Sequence, residues 1–411
     1  MATILDTPSP DVPARDFRIV IEPGKLISTS QELAVLRAAY KRQPGSRLLR
    51  GRLATAFLLQ DAFDDAIDLL ADGGALDAEE GAVLIQAHLA RETPDDNARV
   101  VEIVDRLLPL LKDDAARAQF LADQAKALRR LGESQRARAT LDRALRLDPA
   151  NKDACKRLAA LDLDEGELDG GLATLDRLAA GGASHARLHA ARALAEARAG
   201  RIDAAREVMA FDALHFSGKL DAPAGFDSLG DFNAALAAEL LGHPNLRYER
   251  YGSASEQTWR IDAPALGDAP MVKLLLDQIA RAAERHAAQV AQVDHPWAQR
   301  RPDTGMLHCW CVMTDGTGYE TWHVHQFGWL SGVYYVQIPP SITAGEDQAG
   351  CIAFGLPEEV VGDAAATDYG RHVVRPEEGM LMLFPSHTYH RTWPHGADAR
   401  RICVAFDIWP A

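Results

Sequence analysis

Residues 320–336 read ETWHVHQFGWLSGVYYV, and the fold of the C-terminal half turns on them. In an extended chain alternate side chains share a face, so His323 and His325 project together and can chelate one ion. The run LSGVYYV that follows is rich in β-branched and aromatic residues and reads as a strand. A third nitrogen can come from GMLMLFPSHTYHRTW, residues 379–393, where His390 follows a strand and a turn; His387 is a less favoured neighbour. An isolated H-x-H is more often packed or exposed than metal-bound, so the third histidine strengthens the case for a metal site.

Eleven residues after His390 the chain alternates as Arg401, Ile402, Cys403, Val404, Ala405, Phe406. Period two places Arg401, Cys403 and Ala405 on one face and the bulky Ile402, Val404 and Phe406 on the other. If the bulky face packs against covering helices, the Arg401 guanidinium points inward and needs an anion. Either a substrate carboxylate supplies it in bidentate geometry, or Asp407, Glu377 or Glu378 forms an ordinary ion pair.

Outward from these segments, residues beyond Met306 form short runs rich in Val, Tyr, Ile and Trp, parted by Gly, Pro and Asp turns, which predict an antiparallel sandwich or barrel. Two helices precede it, DFNAALAAELL with an Asp231 cap and Gly242 stop, and one starting at Met271. The composition before residue 210 is different. All seven Trp, and every Tyr except Tyr40, lie beyond residue 247, while residues 30–210 are rich in Ala, Leu, Arg and Asp. There Gly132, Gly166 and Gly200 recur every 34 residues between amphipathic segments, each followed five residues later by a small residue, Ala137, Gly171 and Ala205. LGESQRARATLDRALRLDPAN (131–151) shows the unit best, and LLQDAFDDAIDLL (58–70), with Ala66 in the small position, is an earlier copy. This helix-turn-helix period resembles the tetratricopeptide repeat, whose stacked pairs form a curved groove. Such a groove takes a peptide or partner protein, or else the solenoid only supports the second domain or a dimer; oligomeric state, a homodimer included, stays open.

The ordered set H-x-H, LSGVYY, FPS, His390 and Arg401 resembles the iron(II)- and 2-oxoglutarate-dependent oxygenases, in particular a bacterial group carrying the same H-x-H, LSGVYY and FPS, over about residues 225–411. The resemblance implies a double-stranded β-helix, or jelly roll, with iron(II), 2-oxoglutarate and O₂ as its reagents. It makes His323 and His390 iron ligands and Arg401 the clamp for the distal carboxylate of 2-oxoglutarate. His325 stands where most of the superfamily has Asp or Glu: it either coordinates, giving a three-histidine site (His323, His325, His390), or turns aside and leaves two ligands, as suffices in the aspartyl/asparaginyl hydroxylases. Asp315 and Glu320 are the substitute ligands to consider, but neither fits the ordered motif. Cys403 stands where many relatives have a cofactor-touching serine, and Tyr334, Tyr335 or Thr392 could supply the hydroxyl instead.

Taken together, the sequence predicts a multidomain α and β protein. Residues 1–29 form a disordered or extended N-terminus, 30–210 a tetratricopeptide-like helical solenoid, and 211–411 an oxygenase-like jelly roll with covering helices. With 59 acidic against 44 basic residues, a net charge of −15 disfavours nucleic-acid or membrane-surface binding. No apolar run approaches the roughly 18–20 residues needed to span a bilayer. Five unevenly placed cysteines describe no disulfide framework, so a reducing, cytoplasmic setting is expected. The expected activity is hydroxylation of a protein or peptide side chain that the repeat groove presents. Two alternatives are a repeat scaffold whose barrel keeps a ligand without turnover, and a cupin-type metalloenzyme that does not use 2-oxoglutarate.

Overall fold

A computed structural model describes residues 17–71 and 75–411, which form two compact units, one of residues Ile27–Ala183 and one of Ser184–Ala411 together with the segment up to Leu26. The first unit holds nine α-helices among its described residues, from Thr29–Arg42 to Leu168–Ala180. Its repeat pattern has a plain physical basis. Gly132 (φ +79°) and Gly166 (φ +75°) take the left-handed conformation that lets one helix end and the next turn back. Ala66 and Ala137 are completely buried where paired helices cross, and a Cβ on Gly171 would come within 2.9 Å of Asp162 Oδ2. Leu121, Leu128, Leu141 and Leu145 fill the shared face.

The second unit begins with a further helix pair, Ala186–Arg198 and Ile202–Met209, with Gly200 (φ +77°) at its turn and Ala205 fully buried. This pair keeps the 34-residue period yet clusters with the C-terminal unit, so the boundary expected at 210/211 falls at 183/184. Its polar groups explain the move. Arg206 donates to the carbonyls of Asp368 and Tyr369, and the Val208 carbonyl accepts from Nε2 of both His295 and His387 (3.1 Å each). The expectation for residues 1–29 falls, up to residue 16, outside the described residues; beyond it a strand forms at Arg18–Ile21 and a helix starts at Thr29.

The strands are β1 (Arg18–Ile21), β2 (Phe216–Lys219), β3 (Arg247–Tyr248), β4 (Ser255–Ile261), β5 (Thr304–Glu320), β6 (Leu330–Gln337), β7 (Ile352–Phe354), β8 (His372–Val374), β9 (Met380–Pro385), β10 (His390–Thr392) and β11 (Arg401–Pro410). They build a large sheet, ordered β2-β9-β6-β11-β5-β4-β3 with β1 parallel beside β5, and a small sheet, β10-β7-β8. This is the jelly roll the sequence predicts. The outer face of the large sheet, including Ile402, Val404, Phe406 and Ile408, packs on helices Leu229–Leu241 and Pro270–Val290. Between the sheets lies a second core of Val312, Val333, Tyr335, Phe354, Phe384 and Cys403 among others. The face alternation read from the sequence therefore holds, with Arg401 and Cys403 turned inward. Gly332 of LSGVYY sits where a Cβ would lie 2.3 Å from the Phe406 ring, so the motif's glycine lets β11 pack closely beside β6.

Candidate active site

Two backbone ladders stitch the histidine-bearing segments together. His323 and His390 exchange N–H···O bonds (3.0 and 3.1 Å), and the His325 N–H donates to the Ser386 carbonyl (2.9 Å). The three rings then converge inside the barrel, with centroids 4.1 Å apart for His323 and His390, 5.0 Å for His325 and His390 and 5.3 Å for His323 and His325. One nitrogen from each lies within 4.8 Å of the others.

The partners of the second nitrogens decide the tautomers. Nδ1 of His323 lies 2.8 Å from the Thr321 carbonyl and Nδ1 of His390 lies 3.0 Å from that of Thr388. A carbonyl only accepts, so both Nδ1 atoms carry the proton and both Nε2 atoms present lone pairs. Nδ1 of His325 donates to Asp407 Oδ1 at 2.5 Å. Burial holds His323 and His390 below the ordinary imidazole pKa, which keeps both rings neutral and able to ligate. Three imidazoles with anchored Nδ1 atoms make a donor set suited to a divalent metal ion.

Asp407 answers the charge question raised by His325. It stands six residues beyond Arg401 on the same inward face of β11, accepts from Ser331 Oγ as well (2.6 Å), and Ser331 Oγ meets Ser386 Oγ at 2.6 Å. The serine of FPS thus reaches the carboxylate through the serine of LSGVYY, and the carboxylate returns negative charge to the site through the His325 ring. The sequence reading weighed Asp407 only as an ion-pair partner of Arg401. Its role is legible only through the period-two register, which sets Asp407 opposite Ser331.

Arg401 lies along the same face, 4 % exposed, at the other end of the strand. No carboxylate pairs with it among the described residues. The three acids considered for it are engaged elsewhere: Asp407 with His325, Glu377 with Lys219 (2.7 Å), and Glu378 with the Ile338 N–H (3.1 Å). The guanidinium carbon lies 5.3 Å from the Tyr335 ring centre. Arg401 Nε, Tyr335 Oη and Thr314 Oγ1 are buried without a hydrogen-bond partner, and Thr314 is the register partner of Arg401 on β5. Thr314 is absent from the sequence-based candidates; cross-strand register alone reveals it. A buried cation ringed by unsatisfied polar atoms fits a small anion such as the distal carboxylate of 2-oxoglutarate.

The other candidates fall as follows. Cys403 faces inward, its thiol 3.6 Å from the Val312 carbonyl, and Thr392 Oγ1 accepts from the Glu320 N–H (2.9 Å). Asp315 pairs with Arg400 (2.9 Å) and takes the Trp259 indole N–H (3.1 Å), away from the histidines. His387 bonds the Val208 carbonyl and lies tilted against His189, 5.0 Å between centroids. Trp310 lies 5.3 Å from the His325 ring, whereas Trp329 stacks on Trp297 in the outer core.

The jelly roll carries three converging histidines, two of them buried, and a separate buried cation on one inner face, and part of it matches a known family. Residues 308–407 match the family described as "Putative 2OG-Fe(II) oxygenase", and residues 128–195 match the tetratricopeptide repeat. No curated protein matches the chain. Similar solved structures include a Pseudomonas putida prolyl-4-hydroxylase, 18 % identical, covering 52 % of this chain and 99 % of its own, with a TM-score of 0.33. YrrB, a tetratricopeptide-repeat protein with an unusual peptide-binding site, is 14 % identical, with coverages of 44 % and 94 % and a TM-score of 0.33. The α-ketoglutarate-dependent epimerase SnoN from nogalamycin biosynthesis is 15 % identical, with coverages of 48 % and 78 % and a TM-score of 0.34. Among the described residues no helix is long and apolar enough to cross a membrane.

Proposed function

We propose that the chain is an iron(II)- and 2-oxoglutarate-dependent dioxygenase that hydroxylates a side chain of a protein or peptide bound by its repeat unit. The observation that carries this reading is Arg401. A buried guanidinium without a carboxylate is costly unless a ligand brings one. A metalloenzyme that did not use a dicarboxylate would gain nothing from keeping it.

In this reading His323, His325 and His390 hold iron(II) through their Nε2 atoms. With 2-oxoglutarate and O₂ bound, such a centre supplies oxidation of a C–H bond coupled to loss of CO₂ and formation of succinate. The protein's own work is positional. The carbonyls of Thr321 and Thr388 and the Asp407 carboxylate fix the three rings, so the metal meets donors that need no reorganisation. Arg401, Thr314 and Tyr335 orient the cosubstrate from its far end, and the apolar lining of Val312, Val333, Phe354 and Phe384 excludes water. Cys403 and Thr392 border the cosubstrate's side of the barrel. The 34-residue repeats support a peptide or protein as substrate.

The test is turnover. Iron-loaded protein under O₂ should convert 2-oxoglutarate to succinate, faster with a bound peptide that gains one oxygen atom in mass, and His390→Ala should abolish the conversion. Iron-loaded wild type that never consumes 2-oxoglutarate would overturn the proposal.

A further inference from the structure

We propose that the repeat unit selects an acidic segment of its peptide partner, taking an Asp or Glu side chain into a cavity where Lys126 is the principal contact. That the peptide so bound is also the substrate rests on the oxygenase reading above; the binding itself does not. The cavity measures about 300 Å³ and lies among helices Asp114–Arg130, Ser134–Leu147 and Lys152–Glu165 of the first unit. Lys126, Arg129, Arg130 and Arg157 line it together with Ala125, Leu141 and Leu161, and no carboxylate is among the lining residues.

The local sequence explains how these charges gather. Lys126, Arg129 and Arg130 stand at i, i+3 and i+4 of one helix and so share a face, and the next helix but one, which packs beside it, adds Arg157. Like charges at such spacings oppose helix formation, and a carboxylate in the cavity relieves that repulsion. The buried side chains of Ala125, Leu141 and Leu161 give the cavity its apolar wall.

The four cations are not equivalent. Arg130 donates to the Leu89 carbonyl (2.8 Å) and pairs with Glu92 (2.8 Å). Arg157 donates to Asp123 Oδ1 through both terminal nitrogens (3.2 and 3.1 Å), and the buried Asp123 accepts from Gln86 as well (2.9 Å). Arg129 meets Asp164 at 3.1 Å in a solvent-exposed pair, which is weak and readily exchanged. Lys126 is half-buried, and among the described residues no hydrogen bond or ion pair holds its ammonium. Burial, with Arg130 and Arg157 adding repulsion, keeps that ammonium below the ordinary lysine pKa in spite of Asp123 and Glu92. Two fixed guanidiniums thus accompany an ammonium without a counter-ion, while the acids that neutralise its neighbours lie outside the cavity wall. An incoming carboxylate meets donors already in place and displaces no protein carboxylate from Lys126. A net charge of −15 opposes an extended polyphosphate far more than an isolated carboxylate, so the occupant is a peptide and not a nucleic acid.

The experiment is fluorescence anisotropy of the full-length apo-protein with two pools of fluorescein-labelled dodecapeptides of degenerate sequence, one rich in Asp and Glu and the other carrying Asn and Gln in their place. Both pools are amidated at the C-terminus, so that only side chains supply carboxylates. Thermal unfolding verifies the fold of Lys126→Met and Lys126→Arg; because Lys126 has no partner to lose, Lys126→Met should unfold at the wild-type temperature or above it. The acidic pool should bind more tightly than the amide pool, with an affinity that falls as salt rises. Lys126→Met should weaken that binding about tenfold or more, and Lys126→Arg should retain most of it. Equal binding of the two pools, or acidic-pool binding unchanged in Lys126→Met, would overturn the proposal. A single-stranded oligonucleotide that binds more tightly than the acidic pool and loses affinity in Lys126→Met would overturn the choice of a peptide. No metal or 2-oxoglutarate takes part in these titrations, so failure here leaves the oxygenase reading to the succinate assay. Wild type that binds the acidic pool yet never consumes 2-oxoglutarate would overturn that reading and leave the acidic site standing.

Discussion

Replacing Arg401 with methionine should move two properties in opposite directions. The guanidinium is 4 % exposed, has no carboxylate partner among the described residues, and leaves Nε without an acceptor. A buried donor left unsatisfied costs about 1–3 kcal/mol, and the unpaired charge adds to that. Its stacking on Tyr335, 5.3 Å from ring centre to guanidinium carbon, returns about 1 kcal/mol. Methionine is of similar length and carries no charge, so the apo-protein should gain about 1–3 kcal/mol. For a unit of this size each kcal/mol corresponds to roughly 2–4 °C in Tm. The same change removes one partner of a buried charge pair with 2-oxoglutarate, a loss of about 2–5 kcal/mol, or roughly 30- to 4,000-fold in affinity. Differential scanning calorimetry of the apo-proteins and calorimetric titration of 2-oxoglutarate into the Mn(II)-loaded forms read both quantities. An Arg401→Met apo-protein less stable than wild type, or one that binds 2-oxoglutarate as tightly, would refute the assignment of Arg401 as a cation waiting for its anion.

Asp407→Asn keeps the size of the side chain but withdraws charge from His325, and Mn(II) affinity should fall about 10- to 100-fold by calorimetric titration; an unchanged affinity would show that the 2.5 Å contact does not tune the metal site. In the repeat unit Ala137 is fully buried where helices cross, so Ala137→Leu should destabilise that unit by about 1–3 kcal/mol in urea unfolding and leave Mn(II) affinity unaltered. Burial lowers the pKa of His189 and of His286 to about 4, so between pH 6.5 and about 4 the unfolded chain binds protons that the folded chain refuses. Stability is therefore flat in these two groups above pH 6.5 and falls with acid below it, by about 1.4 kcal/mol per pH unit for each ring; urea midpoints that do not move between pH 7 and 5 would contradict this.

What the sequence disclosed depended on the range of the interaction. The H-x-H pair and the inward turn of Arg401 follow from period two within single strands, and the glycine and alanine spacing marks repeats whose contacts lie between neighbouring helices. The environment of each ligand was less legible, since Asp407 meets His325 and Ser331, and Ser331 meets Ser386, only after β11, β6 and β9 have paired. Thr314 likewise becomes a candidate only through its register with Arg401. The boundary at 183/184 escaped because residues 186–209 carry the alanine-rich pattern of the repeats, while the partners of Arg198 and Arg206 lie more than a hundred residues further on. Strand β1 is four residues long and pairs with the start of β5, so no local pattern announces it.

The most direct test of the central claim is an anaerobic titration of the apo-protein with iron(II) and 2-oxoglutarate, followed in the visible region for the metal-to-ligand charge-transfer band of a chelated keto acid. The account predicts a band in wild type, its loss in His390→Ala, and its appearance in Arg401→Met only at far higher 2-oxoglutarate concentrations. Iron binding without the band at saturating 2-oxoglutarate would contradict it.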